Sequence, residues 1–284
     1  TISRILVRHV TCITALRITG DESDALEAAV AIAASLPNLR HIELSLEGAM
    51  TILEQEISTS DGDPNPAIVD FRAAMGTLRS LRFQAGVPAI YAAAVVTGAF
   101  HLEHLNISGS TIGGKDDAII ALAASQASHL VDLTLYFIGS YDPSDHYDAR
   151  SVPKSWASLV WAPQLRRLTL SITVIGPDDL TFISHFSPTL QRLEVTVEGA
   201  MHCASVRGVV FPQLTTVIVN GGEEDGIDTD LYRLLLHLSG SPIQHLSYKS
   251  SSISQPSAYS TLLKTLASHF PTLRVLALSA VRSE

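Results

Sequence analysis

Two arginines, three histidines and one aromatic, acidic stretch are the places where this sequence could do chemistry. Arg167 and Arg192 each precede an apolar pair two residues apart, Leu168 and Leu170 after the first, Leu193 and Val195 after the second. A guanidinium offers a planar fork of donors that matches a carboxylate. Two of them in equivalent settings therefore suggest recognition of an acidic group. His41, His104 and His245 stand in the same setting, ahead of Ile42, Leu105 and Leu246. Imidazole could act as base, metal ligand or hydrogen-bonding contact there. The stretch from Tyr136 to Arg150 holds Tyr136, Tyr141 and Tyr147 and leads to Trp156 and Trp161. Aromatic side chains are the usual anchors of interfaces, but the two tryptophans could equally fill the space beneath an irregular part of the fold. Asp142, Asp145, His146 and Asp148 could curl round a cation, yet they lack the glycine and closing glutamate of a calcium loop. No metal and no cofactor are expected.

Catalysis is not expected either. The sequence has no glycine-rich phosphate loop, no G-x-S-x-G, no H-E-x-x-H and no C-x-x-C. His185 and His269 sit near the ends of helical patterns, where a structural role is expected.

The element that must position these residues is a repeat. The pattern L-x-x-L-x-L, with other apolar residues allowed, occurs at Ile13-Leu16-Ile18, Leu39-Ile42-Leu44, Leu78-Leu81-Phe83, Leu102-Leu105-Ile107 and Leu130-Leu133-Leu135. It recurs at Leu165-Leu168-Leu170, Leu190-Leu193-Val195, Leu214-Val217-Val219, Ile243-Leu246-Tyr248 and Leu273-Leu276-Leu278. Successive copies are about 29 residues apart on average, within the range of leucine-rich repeats. Apolar positions two apart face one side of a short strand. Parallel strands of this kind need crossovers of a dozen or so residues, usually helical. The intervening stripes fit that need: Leu26 to Ala33 after Asp24, Ile119 to Ala123 after Asp116 and Asp117, Leu231 to Leu238 between Asp228 and Gly240, and Leu262, Leu263, Leu266 and Phe270. Pro37, Pro212 and Pro271 mark corners into the strands, because proline cannot continue a helix. Leu46-Glu47-Gly48-Ala49-Met50 echoes Val197-Glu198-Gly199-Ala200-Met201 at the same phase, as duplication would leave it. The expectation is an α/β leucine-rich-repeat solenoid, a horseshoe of about ten strand-helix repeats with a concave parallel sheet. It spans residues 1–284 as one domain, with residues 1–12 as a possible cap and 136–155 as an insertion.

In such a fold the residues between the apolar strand positions face outward. Those expected to meet a partner are Arg17, His41, Glu43, Arg82, His104, Asn106, Asp132, Tyr136, Arg167, Arg192, Glu194 and His245, with Tyr141 and Tyr147 from the insertion. Basic residues outnumber acidic ones on this face, five (with Lys249) to three, while the whole chain carries −9. A mildly basic face on an acidic body would favour an acidic partner, or its charges would simply pair locally. Arg167 and Arg192 would stand about 4.8 Å apart on neighbouring strands. Their repulsion needs an anion between them, which Asp132, Glu194 or a partner's carboxylate could supply.

The strand motifs and proline corners resemble the irregular leucine-rich-repeat region of F-box-like proteins of mushroom-forming fungi, over about residues 10–280. The asparagine or cysteine that forms a ladder after the strand in standard repeats is replaced here, by Asp21, Glu47, Ser110, Glu198 and Gly222 among others. Residues 1–12 leave no room for the roughly three helices of an F-box-like segment, so none is expected within them. The resemblance implies the target-binding part of a ubiquitin-ligase component, a role that depends on such a segment.

Composition agrees with a folded chain: of 284 residues, 46% are hydrophobic and 17% charged. Acidic net charge and the lack of a basic stripe argue against nucleic acid or an anionic membrane as partner. Two distant cysteines, Cys12 and Cys203, make no disulfide framework; they are expected to be buried, in a reducing compartment such as the cytoplasm or nucleus. Asn106-Ile107-Ser108 reads as a glycosylation sequon by chance, inside a strand. The start at Thr1, without Met, is expected to reflect removal of an upstream segment. The function expected is non-enzymatic protein binding; the alternative is a carbohydrate-binding protein using the aromatic insertion.

Overall fold

The structure is a computed structural model. It describes residues 11–20, 32–33, 35–46, 75–83, 96–108, 121, 124–136, 152, 154–157, 159–161, 164–172, 175–197, 208–221, 234–250 and 256–280. Contacts divide the chain into two compact units, Thr1–Val131 and Asp132–Glu284. The insertion residues after Tyr136, Tyr141 and Tyr147 among them, lie outside the described residues up to Val152, as does most of each Leu-Glu-Gly-Ala-Met echo.

All ten strand motifs become strands. In the first unit these are β1 (Ala15–Gly20), β2 (His41–Leu46), β3 (Ser80–Phe83) and β4 (His104–Ser108). In the second they are β5 (Asp132–Tyr136), β6 (Arg167–Ile172), β7 (Arg192–Val197), β8 (Thr216–Gly221), β9 (His245–Ser250) and β10 (Val275–Ala280). Within each unit neighbouring strands pair in parallel and in chain order. The register aligns the motifs: Leu16 with Ile42, Leu81 with Leu105, Leu168 with Leu193, Val217 with Leu246. A one-residue slip would turn every one of these side chains to water, so burial locks the register.

The physical reason for the alternation is plain in the burial. From β2 to β9 the second and third apolar positions of each motif are at most 3% exposed. The residues between them are half-buried or exposed. Each fully buried leucine contributes about 1.5–3 kcal/mol.

Between strands the described chain is helical or turning. Labelled helices are α1 (Lys154–Ala157), α2 (Pro177–Ser184) and α3 (Pro256–His269), and Met75–Thr77 is a 3-10 turn. Residues 32–33, 96–98, 124–125 and 234–237 are also helical. Gly240, at φ 83°, ends the last of these in the left-handed conformation that glycine alone adopts cheaply. Leu263 departs from its expected stripe: it is exposed, while Leu266 in α3 and Phe270 just past its end are buried.

Backbone bonds tie each repeat to the next just before the strand. Thr14 O accepts from Arg40 N and His41 N, Arg40 O from Arg79 N and Ser80 N, and Arg79 O from Glu103 N and His104 N. Arg166, Gln191, Thr215 and Gln244 carbonyls do the same in the second unit. A side-chain column runs beside them. Thr77, Thr189 and Thr272 each precede the first motif leucine and donate to the carbonyl of Leu39, Leu165 and Ile243, at 2.8, 2.8 and 2.9 Å. Asn38, in the same place, donates to Thr11 O at 2.8 Å. Side-chain bonding between repeats is thus found ahead of the strand.

Candidate functional site

The outward face of the strands presents the expected charged residues, and their geometry is specific. In the first unit Arg17, Glu43 and Arg82 share one row across β1, β2 and β3. Glu43 lies between the two arginines, its Oε1 3.6 Å from Arg17 Nε and 3.8 Å from Arg82 Nη1. The next residue in the row is Asn106 on β4.

In the second unit Arg167 and Arg192 are direct register partners on β6 and β7. Like charges at that spacing would repel, and the two guanidiniums take different partners. Arg167 Nη1 is 3.4 Å from Asp132 Oδ2 on β5, its register neighbour on the other side. Arg192 Nη2 donates to Glu194 Oε2 at 3.1 Å along its own strand. Both expected carboxylates serve, one for each arginine, and neither sits between them. The four arginines remain 47–65% exposed. Surface pairs of this kind contribute about 0–1 kcal/mol each, so their role in stability is small.

The histidines do not converge. His41 and His104 flank Ser80, so one strand separates them; His245 belongs to the second unit. His185 has the expected structural place, its Nε2 2.7 Å from Ala157 O. Tyr136 ends β5 beside Ser171 of β6, and further along the same row Asn220 Nδ2 of β8 donates to Thr196 Oγ1 of β7 at 3.2 Å. Among the described residues no group of three or more His, Cys, Asp or Glu could hold a metal ion; Asp142, Asp145, His146 and Asp148 lie outside them.

One open alternative is decided, and one expectation needs correction. Trp156 and Trp161 are not surface anchors. They are 0% and 6% exposed, with centroids 5.6 Å apart, and pack edge-on against Phe182 of α2. Trp161 also meets Phe186 and donates its indole N–H to Trp156 O at 3.0 Å. They fill the space beneath the strands, where their large apolar area is worth most. Cys12, expected to be buried, is exposed, because it stands in the turn ahead of β1 rather than on an inward strand position. Cys203 lies outside the described residues. The sequon is a strand segment: Ile107 is fully buried and Ser108 Oγ donates to Phe83 O at 3.1 Å.

Sequence reasoning missed one buried charge, Asp179 in the first turn of α2. It is 0% exposed. Its Oδ2 accepts from Gly176 N at 2.6 Å, closing the start of the helix, and its Oδ1 accepts from Val152 N at 2.5 Å. Burial pushes its carboxyl up from 3.8 to about 6, against the lowering effect of those two backbone N–H groups. The signal was present in Gly176-Pro177-Asp178-Asp179, a helix start with proline and acids in the first turn.

No protein-family model matches the chain, and no curated protein matches it.

Proposed function

We propose that the chain is a leucine-rich-repeat scaffold without enzymatic activity that binds another protein through the outward face of its strands. One observation carries this reading: half-exposed arginines stand beside carboxylates of their own or a neighbouring strand on the outward face of each unit. A guanidinium so placed still turns donors toward solvent, where a carboxylate can meet them. A partner bearing carboxylates would meet Arg17 and Arg82, or Arg167 and Arg192, from outside, competing with Glu43, Asp132 and Glu194. Charges so placed set association rate and selectivity more than affinity. Within this reading the resemblance to fungal F-box-like proteins gives the chain the role of the target-binding part of a ubiquitin-ligase component, in the cytoplasm or nucleus. The burial of Trp156 and Trp161 takes the tryptophans away from the carbohydrate alternative.

The test is a pull-down from lysate of the source cells, read by mass spectrometry, with wild type beside an Arg167→Ala/Arg192→Ala variant of unchanged circular dichroism. A specific protein held by wild type and lost from the variant supports the reading. Recovery of the same set of proteins by both removes this arginine pair from the recognition surface.

A further inference from the structure

We propose that His101 and His129 form a two-imidazole site for a borderline divalent transition-metal ion, of the Zn(II), Ni(II) or Cu(II) class. The two residues occupy the same place in successive repeats of the first unit, immediately ahead of the first motif leucines Leu102 and Leu130. Their ring centroids are 5.6 Å apart.

That separation admits a shared ion. A metal bound to an imidazole nitrogen at about 2.0–2.1 Å stands roughly 3.1 Å from the ring centroid, so two rings on one ion have centroids no more than about 6.3 Å apart, and about 5.1 Å apart at a tetrahedral angle. The observed value falls between these limits. Imidazole nitrogen suits this class of ion and not magnesium or calcium, which prefer oxygen.

The backbone holds the pair in register. Leu102 N bonds to Ala99 O and Leu130 N to Ala127 O, each at 3.0 Å, giving the two turns the same form. Leu102 and Leu130 are buried at 0% and 3% exposure and pin the turns to the core. Val131 N bonds to Glu103 O at 2.9 Å and fixes the spacing of the two repeats just past the histidines. A pair held by its scaffold has less to lose on binding than two free side chains. Both histidines are exposed, so an ion reaches them from solvent and keeps water in its remaining positions. The chain's net charge of −9 favours the approach of a cation. The column that carries threonine in other repeats, as at Thr77, here carries two potential ligands.

The experiment is a zinc titration of the full chain near neutral pH, followed through the long-range proton–nitrogen NMR signals of the histidine rings. The His101 and His129 signals should move together and saturate at one equivalent. His101→Ala should weaken the response of His129 at least about tenfold, and His129→Ala that of His101, since loss of a direct ligand costs no less than loss of a supporting contact. Both positions are exposed, so neither change removes core packing, and circular dichroism should match wild type. His41→Ala, on the strand face, should leave the response intact. An unchanged His129 response in His101→Ala overturns the proposal, as does movement of one ring alone or of neither.

Discussion

Asp179 shows how one side chain couples stability to pH. In the folded chain its carboxyl is raised to about 6, from 3.8. The folded state therefore holds the proton more tightly than the unfolded state. This stability is fully present below about pH 4 and is lost as pH rises through about 6. A carboxyl raised this far makes the loss across that window about 3 kcal/mol. Asp179→Asn should remove this part of the profile. The difference in unfolding free energy between wild type and variant, measured by urea at pH values across that window, should slope; a flat difference refutes the assignment. Asp179→Ala goes further, leaving Val152 N and Gly176 N without their acceptor at a cost of about 2–4 kcal/mol. The two tryptophans give an independent reading at the same scale. Emission from Trp156 and Trp161 should be blue-shifted, resist quenching by acrylamide and stay unchanged on adding sugars. Red-shifted, readily quenched emission would contradict their burial.

The strand and the turn ahead of it form the unit of construction. Thr77, Thr189 and Thr272 each join one turn to the repeat before it. Replacing any one with valine keeps the branched shape and removes the hydroxyl, and should cost about 1 kcal/mol in chemical denaturation. Equal midpoints for wild type and all three variants would show that these bonds contribute nothing. The strand register also explains the arginines. Arg167 and Arg192 face each other on β6 and β7, and Asp132 and Glu194 relieve the repulsion. In Asp132→Asn, Arg167 is released and a carboxylate-bearing partner should bind more tightly, an effect that shrinks as salt screens it.

Across the molecule, position in the strand order sets how much each repeat contributes. Leu193 in β7 is fully buried between neighbours on both sides, whereas Leu16 in β1 and Leu278 in β10 are only half-buried. In a chain of repeats, stability is close to a sum of repeat and nearest-neighbour contributions. Leu193→Ala should cost about 2–5 kcal/mol. Leu16→Ala and Leu278→Ala should each cost less than that, because part of each side chain already meets water. Urea unfolding of the three variants makes the comparison. No helix of the described residues is long and apolar enough to cross a membrane.

Periodicity alone was enough to locate all ten strands, since a period-two apolar pair after a leucine leaves a short parallel strand little choice of inward face. It also identified the outward residues, Arg17 to His245, because alternation is a local property of the backbone. The corners at Pro37, Pro212 and Pro271 and the stop at Gly240 were readable for the same reason: each is dictated by its own residue's conformational limits. The Thr-Leu pairs at residues 77, 189 and 272 were equally visible, but their meaning was not, because a threonine's partner lies one repeat away. Distance along the chain hides such contacts. Val152 and Asp179 are 27 residues apart and meet only once α2 has packed. Trp156 and Trp161 could have gone either way, and the presence of Phe182 and Phe186 beneath the strands decided it. Arg167 and Arg192 were placed as neighbours by the repeat, yet which carboxylate each would take depended on side-chain reach across and along the strands. His101 and His129, 28 residues apart and undistinguished as letters, become a pair because two turns of the same form stack in register.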